Sequence, residues 1–383
     1  PNPKPQTPNP KPHFKIFPIF CGPQIISKKL KKLLSFILPT PEDFTMGNNA
    51  NPSLPPEMRA ARLLSPNEPL QLITTGVPTP REGEVLIRVR ASHVSPLDLC
   101  HLEGSDLRNR DFPCFGGVEG AGEVISSGGG FLANRLVGKK VAFFVEGGGA
   151  WAEFVCSAAK NCLEIEKYEG FESASMGLIQ PLTALMFLDL AKKIDTKAVV
   201  LSSAASSMAR LAAKLFAESG LRVICVVKRE EQKALLVNDD PAYIVLASLE
   251  ENFDEKLADS AKVAGARLAF DAVGGEFPGL LVRLLPPKST VHVYGTLNLS
   301  NCQLDSNKLL FNGSSVLGFH FGVEYENLSG FARLRLGWSV AKLRKKGIPD
   351  VKIRERYALD QINQAVEDYR TSMAQGKSVI IFE

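Results

Sequence analysis

Two kinds of hydrophobic pattern divide the chain. Between residues 70 and 94, apolar and polar residues alternate (LQLITT, then EVLIRVRASHV), with Pro78, Pro80 and Gly83 between the two runs. This alternation is typical of half-buried strands joined by a turn. Further short strands are predicted at 122–126, 140–145, 151–155 and 161–165. We therefore predict that the first part of the chain is rich in β-strand.

The period of the hydrophobic pattern changes near residue 170. Leu182, Leu185 and Leu188 recur at helical spacing behind Pro181, which predicts a helix with proline at its first position. Five apolar strands, separated by helical stretches, follow at 198–202, 222–227, 243–247, 267–272 and 290–295. This alternation predicts an α/β fold with a doubly wound parallel sheet. The last part of the chain is predicted to return to the β-rich part through helices at 331–346 and 359–374 and a strand at 378–382.

Composition and charge narrow the class of protein. The chain has 383 residues, 45% of them hydrophobic and 22% charged, and no apolar run has the 18 or so residues that a membrane span requires. Residues 1–45 carry seven lysines and two acids, so the rest of a chain with net charge +4 is close to neutral. These values predict a soluble globular protein with no transmembrane segment and no nucleic-acid partner. The seven cysteines include no C-x-x-C pair, so neither a zinc ribbon nor a disulfide framework is predicted.

Residues 1–57 are predicted to form a basic, proline-rich extension without a packed fold. Within it, residues 25–38 (IISKKLKKLLSFIL) have the spacing of a basic amphipathic helix. One interpretation is an organelle-targeting segment, which would place the protein in mitochondria. The other is a disordered tail, or translated sequence upstream of a start at Met46, and then the protein is expected in the cytoplasm.

The turn after the first parallel strand is the expected site for a diphosphate, since backbone N–H groups at the start of a helix face the ligand there. This turn, residues 202–210 (SSAASSMAR), contains no glycine, so the usual G-x-G-x-x-G pattern is missing. Small residues still occupy it, and Ser203, Ser206, Ser207 and Met208 are candidate cofactor-binding residues. The alternative is an ordinary serine-capped helix that binds nothing.

The end of the second parallel strand carries Lys228 and Arg229, where an enzyme that uses NADH would place an acidic residue. Two cations suit the 2′-phosphate of NADPH. NADPH is therefore the predicted cofactor. A solvated basic pair in front of an acidic helix start is the alternative.

Six short motifs occur in one order along the chain: ASHVSPLD (91–98), GVEGAG (117–122), GAWAEF (149–154), QPLTA (180–184), FDAVGG (270–275) and YG (294–295). This succession resembles the medium-chain dehydrogenase/reductase superfamily, and within it the quinone oxidoreductase-like and enoyl reductase-like branches that lack zinc. The resemblance implies a GroES-like β-rich domain plus a doubly wound Rossmann domain with a parallel sheet, and an active site in the cleft between them. The implied domains are 58–175 (catalytic, first part), 176–315 (dinucleotide-binding) and 316–383 (return to the catalytic domain).

The resemblance also implies that no metal is bound. Zinc-dependent relatives carry Cys where this chain has Ser95, and His where it has Val118. A tetrahedral catalytic zinc site requires such ligands. The four closely spaced cysteines of the family's structural zinc lobe are also missing, so Cys100 and Cys114 are interpreted as packing residues.

Further cofactor contacts are implied by the resemblance alone. It places Thr183 near the nicotinamide ribose or carboxamide, Val273, Tyr294 and Gly295 along the dinucleotide, and Phe319 close to the nicotinamide. The alternatives are structural: Thr183 begins a helix, Tyr294 ends a strand and Phe319 belongs to the core.

The proton donor is the least defined part of the predicted site. Several relatives carry a tyrosine shortly after the glycine that matches Gly104, whereas this chain has Ser105 and Asp106. The remaining candidate donors in the predicted cleft are Ser95, His93, His101 and Cys100.

Two functions from different classes remain open. The first is a zinc-independent, NADPH-dependent oxidoreductase that reduces quinones or activated C=C bonds, since such carbons accept hydride without a Lewis acid. The second is a catalytically inactive scaffold or subunit of a larger assembly, which the glycine-free turn and the missing tyrosine favour. The resemblance also implies a homodimer, formed by edge pairing of the parallel sheets near the strand at 290–295.

Overall fold

The computed structural model describes residues 54–105, 111–166, 169–347 and 351–383. The chain divides into two units after Leu54, and the second unit holds the elements described below. The predictions for the targeting segment and for Asp106 therefore lie outside the described residues. The first strand begins at Glu57, so regular structure starts one residue inside the stretch that was predicted to lack a packed fold.

The strands and α-helices of the described residues are numbered here in chain order. The strands are β1 Glu57–Leu63, β2 Gln71–Gly76, β3 Glu84–His93, β4 Cys114–Phe115, β5 Glu119–Ser127, β6 Lys140–Phe144, β7 Phe154–Ala158, β8 Cys162–Glu164, β9 Ala198–Leu201, β10 Arg222–Val227, β11 Ile244–Ala247, β12 Ala266–Asp271, β13 Thr290–Val293, β14 Ser315–Gly318, β15 Ile353–Ala358 and β16 Lys377–Ile381. The α-helices are α1 Pro96–Leu102, α2 Phe131–Leu136, α3 Phe171–Ala174, α4 Ile179–Ala191, α5 Ser207–Glu218, α6 Lys233–Asp239, α7 Phe253–Ala264, α8 Phe277–Leu284, α9 Ser306–Asn312, α10 Phe321–Glu326, α11 Gly330–Lys345 and α12 Ile362–Ser372.

One lobe is built on a seven-stranded sheet in the order β15-β16-β3-β5-β6-β8, with β7 also pairing with β3. A smaller sheet, β2-β1-β4, completes this β lobe. The last strand, β16, pairs with β3, which confirms that the chain returns to the first lobe at its C-terminal end. Trp151 is fully buried in the core of this lobe.

The other lobe is a six-stranded parallel sheet in the order β11-β10-β9-β12-β13-β14. This is the doubly wound arrangement, in which the order reverses between the first strand, β9, and the fourth, β12. The sequence predicted five of these strands and missed β14, so the parallel sheet extends to Gly318 rather than ending at 315. The strand at 290–295 was wrongly placed at the edge, because β13 pairs with β12 on one side and with β14 on the other.

Helix α4 connects the two lobes. It begins at Ile179, two residues before Pro181, so the prediction that proline occupies its first position was wrong. The stretch Phe171–Ala191 is long and apolar enough to cross a membrane, but 72% of its most apolar window is buried inside the protein. This burial is typical of the core helix of a globular fold.

Candidate functional site at the switch point of the parallel sheet

The ends of β9 and β12 lie side by side at the point where the strand order reverses, which is where doubly wound sheets bind their ligands. Ser202 directly follows β9 and Asp271 is the last residue of β12, and both are fully buried. The Ser202 hydroxyl donates to Asp271 Oδ1 at 2.5 Å, and the Ala272 N–H donates to Ser202 Oγ at 2.9 Å. Burial raises the pKa of the Asp271 carboxyl, while the hydrogen bonds that it accepts from the Ser202 hydroxyl and from the Gly274 and Val273 N–H groups oppose the shift.

The turn between β9 and α5 adopts a glycine-like backbone although it has no glycine. Ser203 has φ of 46°, in the left-handed region that disfavours residues with a side chain. The Ala204 N–H donates to the Val226 carbonyl at 3.0 Å, which fixes the turn to the neighbouring strand β10. Ser206 is the N-cap of α5, and its hydroxyl accepts from the Ala209 N–H at 3.2 Å.

This cap leaves two donors for a ligand. The N–H groups of Ser207 and Met208, the first two residues of α5, have no acceptor among the residues that the structure describes. N–H groups in this position, together with the helix dipole, favour a bound phosphate. The residues of the turn thus fit a diphosphate, although they use serine and alanine in place of glycine.

Lys228 and Arg229 extend from the end of β10 beside this turn, and both are exposed. Their N–H groups donate to Gln232 Oε1 at 3.1 and 3.0 Å, so the backbone of the pair is held by the short helical turn that follows. Arg229 makes a loose, exposed ion pair with Glu231 at 3.8 Å. Within the described part of the chain the exposed Lys228 ammonium forms no ion pair or hydrogen bond, and it is therefore available to an anion.

The aromatic candidates belong to one buried cluster around Phe187 of α4. Phe187 stacks on Phe270 at 4.0 Å between ring centroids, and Tyr294 and Phe319 pack edge-on against it at 4.9 and 4.8 Å. Phe319 is only 5% exposed, as expected for a core residue. Burial, with the charge of Asp271, raises the pKa of the Tyr294 hydroxyl, so this group remains neutral.

The other cofactor-binding residues implied by the resemblance, Thr183, Val273 and Gly295, lie in different local environments. Thr183 is buried on α4, and its hydroxyl donates to the Ile179 carbonyl at 2.8 Å, one turn earlier in the same helix. Gly274 has φ of 71°, and the N–H groups of Val273 and Gly274 are turned toward Asp271. A Cβ on Gly295 would lie 3.1 Å from the Ala272 carbonyl, so glycine allows the loops after β12 and β13 to approach closely without a tight contact.

His93 ends β3 in a fully buried position, 4.0 Å through Nε2 from Glu119 Oε2. Burial, and then the positive charge of Lys377, lower the pKa of His93 to about 3. The imidazole is therefore neutral at physiological pH. The neutral ring can accept a hydrogen bond, but it is not an imidazolium and so has no acidic imidazolium proton to donate.

Ser95 is the N-cap of α1 and forms a capping box with Asp98. Its hydroxyl donates to Asp98 Oδ2 at 2.6 Å, and its N–H donates to the same oxygen at 2.8 Å. Asp98 is 1% exposed, and burial raises its pKa to about 6 against the opposing effect of the Ser95 hydrogen bonds. The structure thus pairs the half-buried Ser95 with the buried Asp98 three residues later in the same motif, a local capping pattern that the prediction of Ser95 as a proton donor did not use.

Cys100 and His101 lie on the same helix, α1. Cys100 is half-buried, and its carbonyl accepts from the N–H and hydroxyl of Ser105. His101 is 7% exposed and lines, with Asp98, a cavity of about 10 Å³ against Trp151. A cavity of this size holds one water molecule at most.

Sequence reasoning missed a buried group of charged residues beside these candidates. Glu119 and Lys377 are 2% and 4% exposed, and Lys377 Nζ donates to the Tyr369 hydroxyl at 2.8 Å. Burial raises the pKa of Glu119 to about 8, although two backbone N–H groups and Lys377 oppose the shift. The sequence signal was a charged residue at the start of each of two strands, Glu119 in β5 and Lys377 in β16. Among the described residues no three His, Cys, Asp or Glu side chains are arranged to hold a metal ion.

The comparisons with known proteins agree with this architecture. Residues 81–167 match the family description of the alcohol dehydrogenase GroES-like domain. The chain is 27% identical over 269 residues to a mitochondrial enoyl-acyl-carrier-protein reductase of Caenorhabditis elegans, covering 68% of this chain and 76% of that protein. It is 24% identical over 308 residues to a quinone oxidoreductase of Rattus norvegicus, covering 80% of this chain and 91% of that protein.

A solved structure from Mesorhizobium loti, provisionally named an NADPH:quinone reductase, superimposes with a TM-score of 0.79 at 26% identity. The superposition covers 86% of this chain and all of that one. Both lobes and their connection therefore have the arrangement found in that protein. Together, the two-lobed fold, the GroES-like domain and these relatives confirm the resemblance of the chain to the medium-chain dehydrogenase/reductase superfamily and to its quinone oxidoreductase-like and enoyl reductase-like proteins.

Proposed function

We propose that the protein is an NADPH-dependent oxidoreductase that reduces quinones or activated C=C bonds without zinc. The observation that carries this proposal is the turn after β9, where Ser203 adopts a left-handed backbone and the N–H groups of Ser207 and Met208 have no acceptor among the described residues. A dinucleotide supplies the missing acceptors through its phosphate oxygens. The relatives named quinone oxidoreductase and enoyl reductase support the same class of reaction.

NADPH is preferred over NADH in this proposal because Lys228 and Arg229 are exposed at the end of β10. Their side chains would bind the 2′-phosphate by charge-assisted hydrogen bonds. The cofactor, when bound, supplies the hydride at C4 of its nicotinamide ring. The protein's part is then to orient that ring and to keep water out of the cleft between the lobes.

The aromatic cluster gives the nicotinamide side of the proposed site its rigidity. Phe187 of α4 contacts Phe270, Tyr294 and Phe319, which belong to the parallel-sheet lobe or follow its strands. The buried Tyr294 hydroxyl has no hydrogen-bond partner among the described residues. Burying a hydroxyl without a partner is costly, so a ligand group or a water molecule that bonds to it would be stabilised there.

The proposed substrate class rests on the replacement of the two zinc-ligand residues among the described residues. Ser95 and Val118 replace the cysteine and histidine of zinc-dependent relatives. Without a Lewis acid, the substrate carbon must already be electrophilic, as in a quinone, an enone or an enoyl thioester. Asp98 is a buried acid whose pKa is raised to about 6, and its carboxylate accepts a hydrogen bond from the Ser95 hydroxyl, one of the candidate donors.

We further propose a homodimer formed through β14, not through the strand at 290–295. β14 is the edge of the parallel sheet, and an unprotected edge is a template for pairing with another chain. Large apolar side chains are exposed around it: Leu310 and Phe311 on α9 are 74% and 77% exposed, and Leu317 on β14 is 48% exposed. A second copy that pairs antiparallel at this edge would cover both the backbone and this apolar surface.

The second candidate function is a catalytically inactive scaffold or assembly subunit, and one observation favours it. The hydroxyl groups of Ser95 and Thr183, both predicted to face substrate or cofactor, donate within the protein to Asp98 Oδ2 and to the Ile179 carbonyl. For location we propose the cytoplasm, with mitochondria as the alternative because relatives with that location occur among enoyl reductases.

The experiment that separates the two candidates is NADPH oxidation by the purified protein with a benzoquinone, a simple enone and an enoyl thioester as separate substrates. The reductase proposal predicts consumption of NADPH with at least one of them above the rate without protein. A protein that binds NADPH but reduces none of the three supports the scaffold instead.

A further inference from the structure

Helix α4 passes from the β lobe to the parallel-sheet lobe, and its own sequence does not cap its first turn. Its N-cap residue is Leu178, whose side chain cannot accept a hydrogen bond. The first N–H groups of any helix lack partners within the helix. Leu178 is only 3% exposed, so these groups are also shielded from water and require an acceptor from elsewhere in the protein.

The acceptor is Glu119, the first residue of β5 in the β lobe. Its Oε1 accepts from the N–H groups of Leu178 and Ile179, each at 2.9 Å. The two residues lie 59 and 60 positions further along the chain, so this cap is made between lobes and not by a local sequence signal. Pro181, in the same turn, has no N–H to satisfy.

Glu119 is anchored in the β lobe through its backbone, and other buried groups of that lobe surround its carboxyl. The Ser92 hydroxyl donates to the Glu119 carbonyl at 2.6 Å, and His93 Nε2 lies 4.0 Å from Oε2. Asp98 from α1 and Lys377 from β16 are buried close enough to act on its charge. The backbone of Glu119 is therefore tied to β3, and its carboxyl lies among buried titratable groups of the β lobe.

Helix α4 also carries the two residues that the proposed function uses on the nicotinamide side. Thr183 lies one turn after the capped residues, and Phe187 lies one turn further, in contact with Tyr294 and Phe319. A shift of the first turn would move this face of the cleft relative to His93 and Ser95 on the β lobe.

We propose that Glu119 is a positioning residue that joins the β lobe to the first turn of α4 and thereby fixes the nicotinamide side of the cleft. The consequence for cofactor binding rests on the proposed function, whereas the cap itself does not. This role would explain why a carboxyl is buried here at all, since burial of an acid without strong partners is unfavourable.

The test compares the wild-type protein with E119Q, which keeps an acceptor oxygen, and E119M, which has a similar volume and no strong acceptor. Amide hydrogen exchange is measured by mass spectrometry on the full chain without nucleotide. We expect faster exchange over residues 176–182 in E119M and wild-type exchange in E119Q. Residues 185–191, in the second half of α4, are the internal control and should change little in either variant. Equal protection of the first turn in E119M and wild type would overturn the proposal.

E119D provides a second test if E119M does not fold. It retains a carboxyl but is shorter by one methylene, so it should also expose the first turn of α4 to exchange; wild-type protection in E119D would contradict the cap. In the same variants NADPH affinity should fall roughly tenfold with E119M and remain close to wild type with E119Q, because two backbone hydrogen bonds are lost only in the former. If the wild type itself binds no NADPH, the proposed function fails, while the exchange data still decide the role of Glu119.

Discussion

The Ser202 hydroxyl donates a hydrogen bond to Asp271, which ties the end of strand β9 to the end of β12 at 2.5 Å. The same carboxyl accepts from the N–H groups of Val273 and Gly274 at 3.1 and 2.8 Å. One buried side chain therefore sets the shape of the loop after β12, directly beside the turn proposed to bind the cofactor phosphates. The proposed cofactor site depends on this pair for its form although neither residue was predicted to contact the ligand.

Replacing Asp271 by asparagine should destabilise the protein and weaken NADPH binding. The amide nitrogen of asparagine would face the N–H of Gly274 or the hydroxyl of Ser202, leaving a buried donor unpaired at a cost of about 1–3 kcal/mol. Urea unfolding measures the stability, and calorimetric titration measures the affinity. D254N is the matched control, since Asp254 makes an exposed ion pair with Arg283, and its loss should cost less than about 1 kcal/mol. Equal stability of D271N and wild type would show that the Asp271 network is not required.

Substitutions of Ser203 test the glycine-like backbone of the turn. At φ of 46°, valine should destabilise the protein by about 1–2 kcal/mol, because a β-branched residue is strongly disfavoured in the left-handed region. Glycine should be tolerated or slightly stabilising at the same position. Denaturant unfolding of S203V and S203G gives the comparison. If S203V were as stable as S203G, the turn would not have the conformation described here.

The pH dependence of stability should report on Glu119. Its pKa is raised to about 8 in the folded protein, so its stabilising contribution is fully present below its ordinary pKa near 4.5 and is lost as the pH rises through 8. Between pH 7 and 8 the wild type should lose roughly 1 kcal/mol of unfolding free energy from this group. His93, Asp98 and Lys377 face the same carboxyl; the pKa values of His93 and Asp98, about 3 and 6, lie below this window.

Glutamine at position 119 cannot ionise, so E119Q should lose less stability than wild type between pH 7 and 8. Urea unfolding at the two pH values measures the difference. Parallel pH curves for the two proteins would mean that Glu119 does not titrate in this range.

The open edge at β14 predicts the oligomeric state. We expect the wild-type protein to have the mass of a dimer in light scattering, and the L310D/F311D double variant to be monomeric because charges replace the exposed apolar side chains of α9. V263D is the control, since Val263 is 78% exposed on α7, away from the β14 edge. A monomeric wild type, or a dimer that survives the double substitution, would contradict an interface at this edge.

The sequence predicted the architecture well because the hydrophobic period is a local signal. The five strands from β9 to β13 and the return of the chain through β16 are confirmed. Strand β14 was missed because four residues, SVLG, are too few to show a hydrophobic period. They also do not form part of a continuous apolar run. That single omission moved the sheet edge to the wrong strand.

The site was predicted less completely because its chemistry is made by contacts that are distant in sequence. Ser203 and Ser207 were predicted as cofactor-binding candidates from their place after β9, which is a local rule. The cap from Glu119 to Ile179 spans 60 residues, and Lys377, whose charge acts on the same carboxyl, lies on the last strand of the chain. No periodicity or spacing in the sequence indicates such contacts. Glu119 was therefore read as part of a motif and not as a functional side chain.

The most direct test of the central claim is calorimetric titration of the wild-type protein with NADPH and NADH, side by side with the K228A/R229A double variant. K262A, an exposed lysine at the end of α7, is the control for a general loss of positive charge. The account predicts that NADPH binds the wild type at least about tenfold more tightly than NADH, and that the double substitution removes this preference while K262A retains it. Absence of binding by both nucleotides, or equal affinity for the two in the wild type, would contradict it.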